Sequence, residues 1–122
     1  PPRYVAPEVD KEQPYGLPSD VFSFGVLAYE LYHLCGTGID YYGEGDMFEG
    51  GGLMDGIETI RTPLLAGDVP ARPDACDDDA VWALVCACME PDEPAKRPTF
   101  SDVASRMADA RAASSTGKED WL

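Results

Sequence analysis

Basic side chains are scarce in this chain of 122 residues. Nine Lys and Arg stand against 23 Asp and Glu, which gives a formal net charge of -14 at pH 7. Nucleic acids and anionic membrane surfaces are bound through concentrated positive charge, so this composition argues against both as direct partners. The longest apolar run, from Val21 to Leu34, is too short to cross a bilayer and carries Glu30 and His33.

Ligands for a structural metal are also few. The chain has one histidine and four cysteines, and no two cysteines form a Cys-x-x-Cys pair, so no zinc site is predicted. The cysteines are expected to be buried free thiols in a reducing compartment. The cysteines are Cys35, Cys76, Cys86 and Cys88.

Signatures of catalysis or cofactor binding are missing as well. The segments "GTGIDY" and "GEGDMF" begin like phosphate-binding loops but lack the third glycine. Neither Ser19 nor Ser23 has a recognisable His and Asp partner, and His33 lies inside an apolar helix. We therefore predict no catalytic residue, no bound cofactor and no metal in this chain.

The residues that are present predict helices. Ser19 is placed to cap a helix from Asp20 to Leu34 that is apolar on nearly every side, as in a core helix, and Gly36 is placed to end it. No segment has the alternating pattern of a strand. The expected fold class is all-α.

Two further helices are predicted near the C-terminus. The acidic triplet 77–79 should open a helix that runs through Met89. Thr99 and Asp102 have the spacing of a capping box and should open a last helix that ends near Ala113.

Loops of unusual composition separate these helices. Residues 36–56 include eight glycines and five acidic residues, and we interpret them as a solvated insertion. A short helix is expected across residues 53–65, and residues 114–122 are expected to form a flexible tail. The domain would then extend over residues 1–113.

Three ordered motifs resemble those of protein kinases. Ala6-Pro7-Glu8 is similar to the motif that closes the kinase activation segment. In "SDVFSFG", Asp20 and Gly25 match a helix motif of that family, with Phe22 in place of the usual Trp, and Arg97-Pro98 matches its late Arg-Pro. The resemblance implies the C-terminal part of the large lobe of a protein-kinase fold.

The resemblance also implies roles for individual residues. Glu8 would form a buried ion pair with Arg97, and Asp20 would hold the backbone of a catalytic loop. Ala6, Pro7 and Gly25 would join these three as structural support of the active site. The substrate-side loop would contain Arg3, Tyr4 and Val5.

The kinase motifs that perform catalysis do not occur in these residues. A kinase has a Gly-rich loop, a Lys that contacts ATP, a His-Arg-Asp catalytic loop and an Asp-Phe-Gly magnesium site. The isolated chain is therefore expected to be inactive, whereas the complete kinase would use ATP and Mg. Its partners would be protein substrates and the remainder of its own kinase domain. A cytoplasmic location is expected for this domain. The complete kinase that contains it could also be anchored to a membrane.

The segment "RYVAPE" predicts Ser/Thr specificity. It is similar to the corresponding segment of Ser/Thr kinases, whereas tyrosine kinases usually carry Trp in place of the residue before the hydrophobic one, which is Tyr4 here. Pro1-Pro2 departs from the Gly-Thr expected there, and "MEPDEPAKRP" has one residue more than the usual spacing. The alternative is a pseudokinase or large-lobe remnant that acts as an interaction module. An unrelated all-α adaptor would need three coincident motifs.

Overall fold

The computed structural model describes residues 5–10, 13–14, 16–37 and 71–115. These residues form four α-helices and one 3₁₀ turn, and no strand occurs among them. The all-α prediction is confirmed. The elements are α1 (Pro7–Asp10), α2 (Leu17–Thr37), α3 (Asp79–Cys88), the 3₁₀ turn (Pro94–Lys96) and α4 (Phe100–Ser115).

The long helix α2 begins one turn earlier than the sequence predicted. Gly16 precedes its first residue, and the Gly16 carbonyl accepts a hydrogen bond from the Asp20 N–H at 3.3 Å. Pro18 fits the first turn because that position needs no N–H donor. The prediction that Ser19 caps this helix is therefore wrong, and so is the prediction that Gly36 ends it, since α2 continues to Thr37.

The core forms where α2 packs against α3, and α4 packs against α3 as well. Burial of the apolar side chains between these helices provides the main driving force for the association of the helices. One buried cluster gathers Ala6, Phe22, Val26, Tyr29, Cys76, Val81, Val85 and Met89. A second contains Val21, Leu84, Cys88 and Val103.

The helix α3 begins within the acidic triplet, as the sequence predicted, and ends at Cys88, one residue before the predicted end. Asp78 is the N-cap, and its carboxylate accepts hydrogen bonds from the N–H groups of Ala80 at 2.8 Å and Val81 at 3.2 Å. Asp79 then lies in the first turn, where its negative charge interacts favourably with the helix dipole and stabilises the helix. Asp78 and Asp79 thus stabilise the start of α3.

The capping box of α4 is also present. The Thr99 N–H donates to the Asp102 carboxylate at 3.2 Å, and the Asp102 N–H donates to the Thr99 hydroxyl at 3.1 Å. The helix ends at Ser115, two residues beyond the predicted end. Val103 is buried, whereas Phe100 and Met107, which helical spacing places near the same face, are exposed.

The helix α2 is apolar on nearly every side, as predicted, but the structure leaves one stripe of it exposed. Asp20, Leu27 and Leu31 follow helical spacing along one face, and all three are exposed; Leu27 is 43% and Leu31 50% accessible. These three residues are called the α2 stripe below. Among the described residues, no helix is both long and apolar enough to cross a membrane.

Several predicted features lie outside the described residues. They are the short helix across residues 53–65, the glycine-rich insertion beyond Thr37, the tail beyond Ser115, and Arg3 and Tyr4.

Gly25 lies in close contact with the C-terminal end of α3. A Cβ atom at Gly25 would be 2.7 Å from Met89 Cγ and 2.9 Å from Cys88 Cβ, closer than real Cβ contacts allow. Both neighbours are fully buried, so they have little room to move. The α2–α3 packing therefore requires a residue without a side chain at this position.

We expect Gly25→Ala to lower the free energy of unfolding by about 1–3 kcal/mol, because overpacking displaces Met89 and Cys88. The loss should occur although alanine favours a helix by about 1 kcal/mol over glycine. Urea denaturation measures the change, with Gly16→Ala as the control because nothing lies within 4 Å of a Cβ there. Equal stability of Gly25→Ala and the native chain would contradict the close approach.

Candidate functional site

The first half of the candidate site is the Ala6-Pro7-Glu8 segment, whose three residues are all buried. Pro7 is the first residue of α1, a position that suits its fixed backbone angle and missing N–H. The Ala6 carbonyl accepts a hydrogen bond from Val9 N–H at 3.1 Å and closes the turn. This short turn places the Glu8 carboxylate inside the protein.

Arg97 forms the second half and follows the 3₁₀ turn. Ahead of that turn, the Glu90 carboxylate accepts hydrogen bonds from the N–H groups of Asp92 at 3.2 Å and Glu93 at 3.3 Å. The Glu90 carbonyl in turn accepts from Arg97 Nε at 2.8 Å. The loop from Glu90 to Arg97 is thus held at both ends, which fixes the direction of the guanidinium.

Glu8 and Arg97 meet in a buried, two-pronged ion pair. Arg97 Nη1 donates to Glu8 Oε2 at 2.7 Å, and Arg97 Nη2 donates to Glu8 Oε1 at 2.9 Å. The Arg97 side chain is 0% and the Glu8 side chain 4% accessible. Such paired, charge-assisted hydrogen bonds are strong and directional. The pairing that the sequence implied is confirmed.

The structure adds partners that sequence reasoning missed. Arg97 Nη1 also donates to the Pro18 carbonyl at 2.8 Å, and the guanidinium lies 5.0 Å from the centre of the Phe22 ring. The Ser19 hydroxyl donates to Glu8 Oε2 at 3.0 Å instead of capping α2. The pair therefore joins α1, the first turns of α2 and the loop before α4. The ion pair together with Ser19, Phe22 and the Pro18 carbonyl is called the Glu8–Arg97 junction below.

Electrostatics keep Glu8 charged despite its burial. Burial alone would raise the pKa of Glu8, but the hydrogen bond from Arg97 and its positive charge bring the pKa below its ordinary value. The Ser19 hydroxyl acts in the same direction. Glu8 is therefore a fixed negative charge at neutral pH and has no role as a proton donor.

The junction should make stability sensitive to acid. Because the folded pKa of Glu8 is depressed, its stabilisation is present above the unfolded pKa, about 4.3, and is lost as pH falls through the lower folded pKa. We expect the melting temperature to fall more steeply below about pH 4.3 in the native chain than in Glu8→Gln. Parallel curves would show that Glu8 does not contribute to the acid transition.

The remaining predicted site residues are spread around the junction. Gly25 is buried at the α2–α3 contact, and Val5 is half-buried just before Ala6. Asp20 follows Ser19 in α2, yet its side chain is exposed. Asp20 is thus presented to the surface as part of the α2 stripe.

The four cysteines differ in their exposure. Cys76 and Cys88 are buried and Cys86 is half-buried, but Cys35 is exposed, so the prediction of burial is wrong for Cys35. All four are free thiols. Burial raises the pKa of Cys88 to about 11, so that thiol stays protonated and unreactive. No group of three His, Cys, Asp or Glu side chains suited to a metal occurs in the described residues.

Comparison with known proteins identifies relatives across nearly the whole chain. The sequence profile of the family described as protein tyrosine and serine/threonine kinase matches residues 1–107. The chain is 31% identical over 92% of its length to the mouse (Mus musculus) "Inactive tyrosine-protein kinase 7". It is 35% identical over 93% of its length to "Tyrosine-protein kinase receptor Tie-1" of Danio rerio. A third relative is "CaM kinase-like vesicle-associated protein" of Takifugu rubripes, 30% identical over 99% of the chain.

The chain spans only part of these relatives. It covers 9% of the mouse protein, 28% of the Takifugu protein and 55% of the Danio protein.

Proposed function

Because this chain belongs to the protein tyrosine and serine/threonine kinase family, we propose that it is the supporting part of the large lobe of a protein Ser/Thr kinase. In this proposal, the complete enzyme transfers the γ-phosphate of ATP to protein hydroxyl groups. The present residues supply the scaffold beneath the active site and the surface on the substrate side. Alone, the chain does not transfer phosphate.

The buried Glu8–Arg97 junction is the observation that carries this proposal. It ties the Ala-Pro-Glu turn, which closes the activation segment in kinases, to the loop before the last helix. Removing one member of such a pair leaves an uncompensated buried charge, so the segment is held firmly. Arg3, Tyr4 and Val5, which precede this turn, would then be held in place to line the substrate.

The α2 stripe supports a role for the rest of the kinase domain as a partner. Leu27 and Leu31 expose apolar surface on a helix that is otherwise the centre of the core. Asp20, at the N-terminal end of the same stripe, would accept hydrogen bonds from the backbone of a catalytic loop. Covering this stripe would bury both leucines and give Asp20 its partners.

ATP and magnesium would bind in the remainder of the domain. Phosphoryl transfer needs phosphate clamps, a metal and a positioned hydroxyl. The described residues contain no cluster that fits a metal ion, so we assign none of them to either group. Free thiols and the use of ATP favour a cytoplasmic location for this domain.

Ser/Thr specificity is the finer part of the proposal. Its support is "RYVAPE", in which Tyr4 stands where tyrosine kinases usually have Trp. The test is phosphoamino-acid analysis of a protein substrate incubated with ATP, magnesium and the complete kinase domain that contains this chain. Phosphoserine or phosphothreonine is the expected product, and phosphotyrosine alone would refute this specificity.

The scaffold role is tested in the same assay. Arg97→Ala in the complete domain should reduce phosphate transfer and lower the melting temperature together, whereas Lys96→Ala, an exposed neighbour, should change neither. The isolated chain should transfer no phosphate under the same conditions. Normal activity and stability of Arg97→Ala would disprove the role of the Glu8–Arg97 junction.

A pseudokinase is the second candidate, and one observation favours it. A relative matched over 92% of this chain is named an inactive kinase, so this part of the fold also occurs without the enzyme activity. The scaffold would then present surfaces to partner proteins. A complete domain that folds but transfers no phosphate to any hydroxyl, including its own, would favour this reading.

A further inference from the structure

A polar pocket lies where the end of α3, the 3₁₀ turn and the first turns of α4 meet. It encloses about 380 Å³. Its charged lining residues are three cations, Lys96, Arg97 and Arg106, and one acid, Asp102. This balance is the reverse of that of the whole chain, which has 23 acidic and nine basic residues. Positive charge is therefore concentrated at one place on an acidic protein.

Two of these four charges are already engaged by other groups. Arg97 forms its two-pronged ion pair with Glu8, so its charge is neutralised inside the protein. The Asp102 carboxylate accepts a hydrogen bond from the Thr99 N–H at 3.2 Å and is held by the capping box of α4. Lys96 and Arg106 are left to act on a ligand.

The two remaining cations are available to an anion from solvent. Arg106 forms no ion pair with any residue that the structure describes. Lys96 pairs with Glu93 at 3.0 Å, but both side chains are more than half exposed, and Glu93 lies outside the pocket lining. Exposed pairs of this kind contribute little to stability, so a stronger anion can take the place of Glu93.

The neighbouring Ser105 adds a hydroxyl donor to the pocket. Asp102, Ser105 and Arg106 have the spacing i, i+3 and i+4, which places all three on one side of α4. Ser105 and Arg106 are both exposed, so neither donor is hidden from solvent. One helix thus presents a guanidinium and a hydroxyl side by side, with Lys96 supplied by the 3₁₀ turn.

We infer that this pocket binds a phosphoryl group, with Arg106 and Lys96 as its counter-charges and the Ser105 hydroxyl as a further donor. A phosphoryl group on a side chain carries about 1.5 to 2 negative charges at pH 7 and three acceptor oxygens, which match these three donors. A carboxylate has one charge and two oxygens, so it would leave one cation without a partner. Neither Arg106 nor Ser105 belongs to the proposed support of the active site, so this inference stands apart from the proposed function.

Fluorescence anisotropy with labelled peptides tests the inference on the full chain. Three peptides with the same uncharged flanks carry phosphoserine, serine or glutamate at the centre. The phosphoserine peptide should bind at least about tenfold more tightly than the other two. Its affinity should fall when NaCl is raised from about 50 to about 500 mM.

Competition with inorganic phosphate then identifies the source of the phosphoryl group. Displacement of the phosphoserine peptide by phosphate near the Kd of the peptide itself would identify free phosphate as the ligand. Displacement only at concentrations at least about tenfold higher would identify a phosphorylated protein segment, because the rest of the segment then adds to the affinity. Either result supports a phosphoryl site.

Two matched variants locate the site on α4. Arg106→Gln removes the unpaired cation and should weaken binding of the phosphoserine peptide at least about tenfold. Arg111→Gln makes the same change outside the pocket lining and should leave the affinity within about twofold. Both arginines are exposed, so both variants should keep the melting temperature of the native chain. Equal effects of the two variants, equal binding of all three peptides, or no binding would overturn the inference.

Discussion

Arg97→Ala is expected to lower the free energy of unfolding by about 3–5 kcal/mol, because Glu8 would stay buried without its counter-charge. The substitution also removes the donors to the Glu90 and Pro18 carbonyls, which lie 2.8 Å from Arg97 atoms. Urea denaturation at pH 7 measures the loss. The value is a large share of the total stability of a typical domain.

Two further variants test whether the lost stability comes from the Glu8–Arg97 ion pair and not from the loss of a positive charge in general. Lys96→Ala removes the neighbouring cation, whose pair with Glu93 is exposed, and should change stability by less than about 1 kcal/mol. Arg97→Lys keeps the charge, but an ammonium group cannot form the two parallel bonds to Glu8. Its stability should fall between those of the native chain and Arg97→Ala. A loss as small as that of Lys96→Ala would refute a tight junction.

Phe22→Ala is the second large change, with an expected loss of about 3–5 kcal/mol. The Phe22 ring is 2% accessible and packs in the main core cluster with Val26 and Met89. It also supports the Arg97 guanidinium from one side, at 5.0 Å. Alanine would leave a cavity and remove this support at once.

Phe100→Ala is the matched control for Phe22, since Phe100 is exposed and should cost only about 1 kcal/mol. Combining Phe22→Ala with Arg97→Ala should cost less than the sum of the two single losses, because the two side chains are in contact. Strict additivity would mean that the ring and the guanidinium do not interact. Thermal or urea unfolding of the native chain, the Phe22→Ala and Arg97→Ala variants and the double variant provides the comparison.

Local signals in the sequence predicted the helix starts well where a side chain caps the backbone. Asp78 and the Thr99–Asp102 pair are short-range features, so their hydrogen bonds depend only on neighbouring residues. The start of α2 was misplaced because Ser19 also resembles a cap. A distant partner, Glu8, binds its hydroxyl instead.

Of the residues in the candidate site, the sequence predicts only the two charged ones, Glu8 and Arg97. Glu8 and Arg97 stood out through their motifs, whereas the Pro18 and Glu90 acceptors are backbone carbonyls, which every residue has. The closeness of Gly25 to Met89 depends on how two helices cross, and helix periodicity alone does not give that crossing. The position of the α2 stripe is beyond prediction for a related reason. Helix periodicity marks its residues as apolar, but it does not show which neighbouring element covers them.

The ion pair joins residues that are 89 positions apart, and this separation orders events as the chain is made. Glu8 leaves the ribosome long before Arg97, so its carboxylate lacks this partner until the intervening residues have been made. Contacts of such long range form late because a large loop must close first. A chain that stops just before Arg97 would contain the residues of α1, α2 and α3, yet it would lack the cation that pairs with Glu8 in the interior.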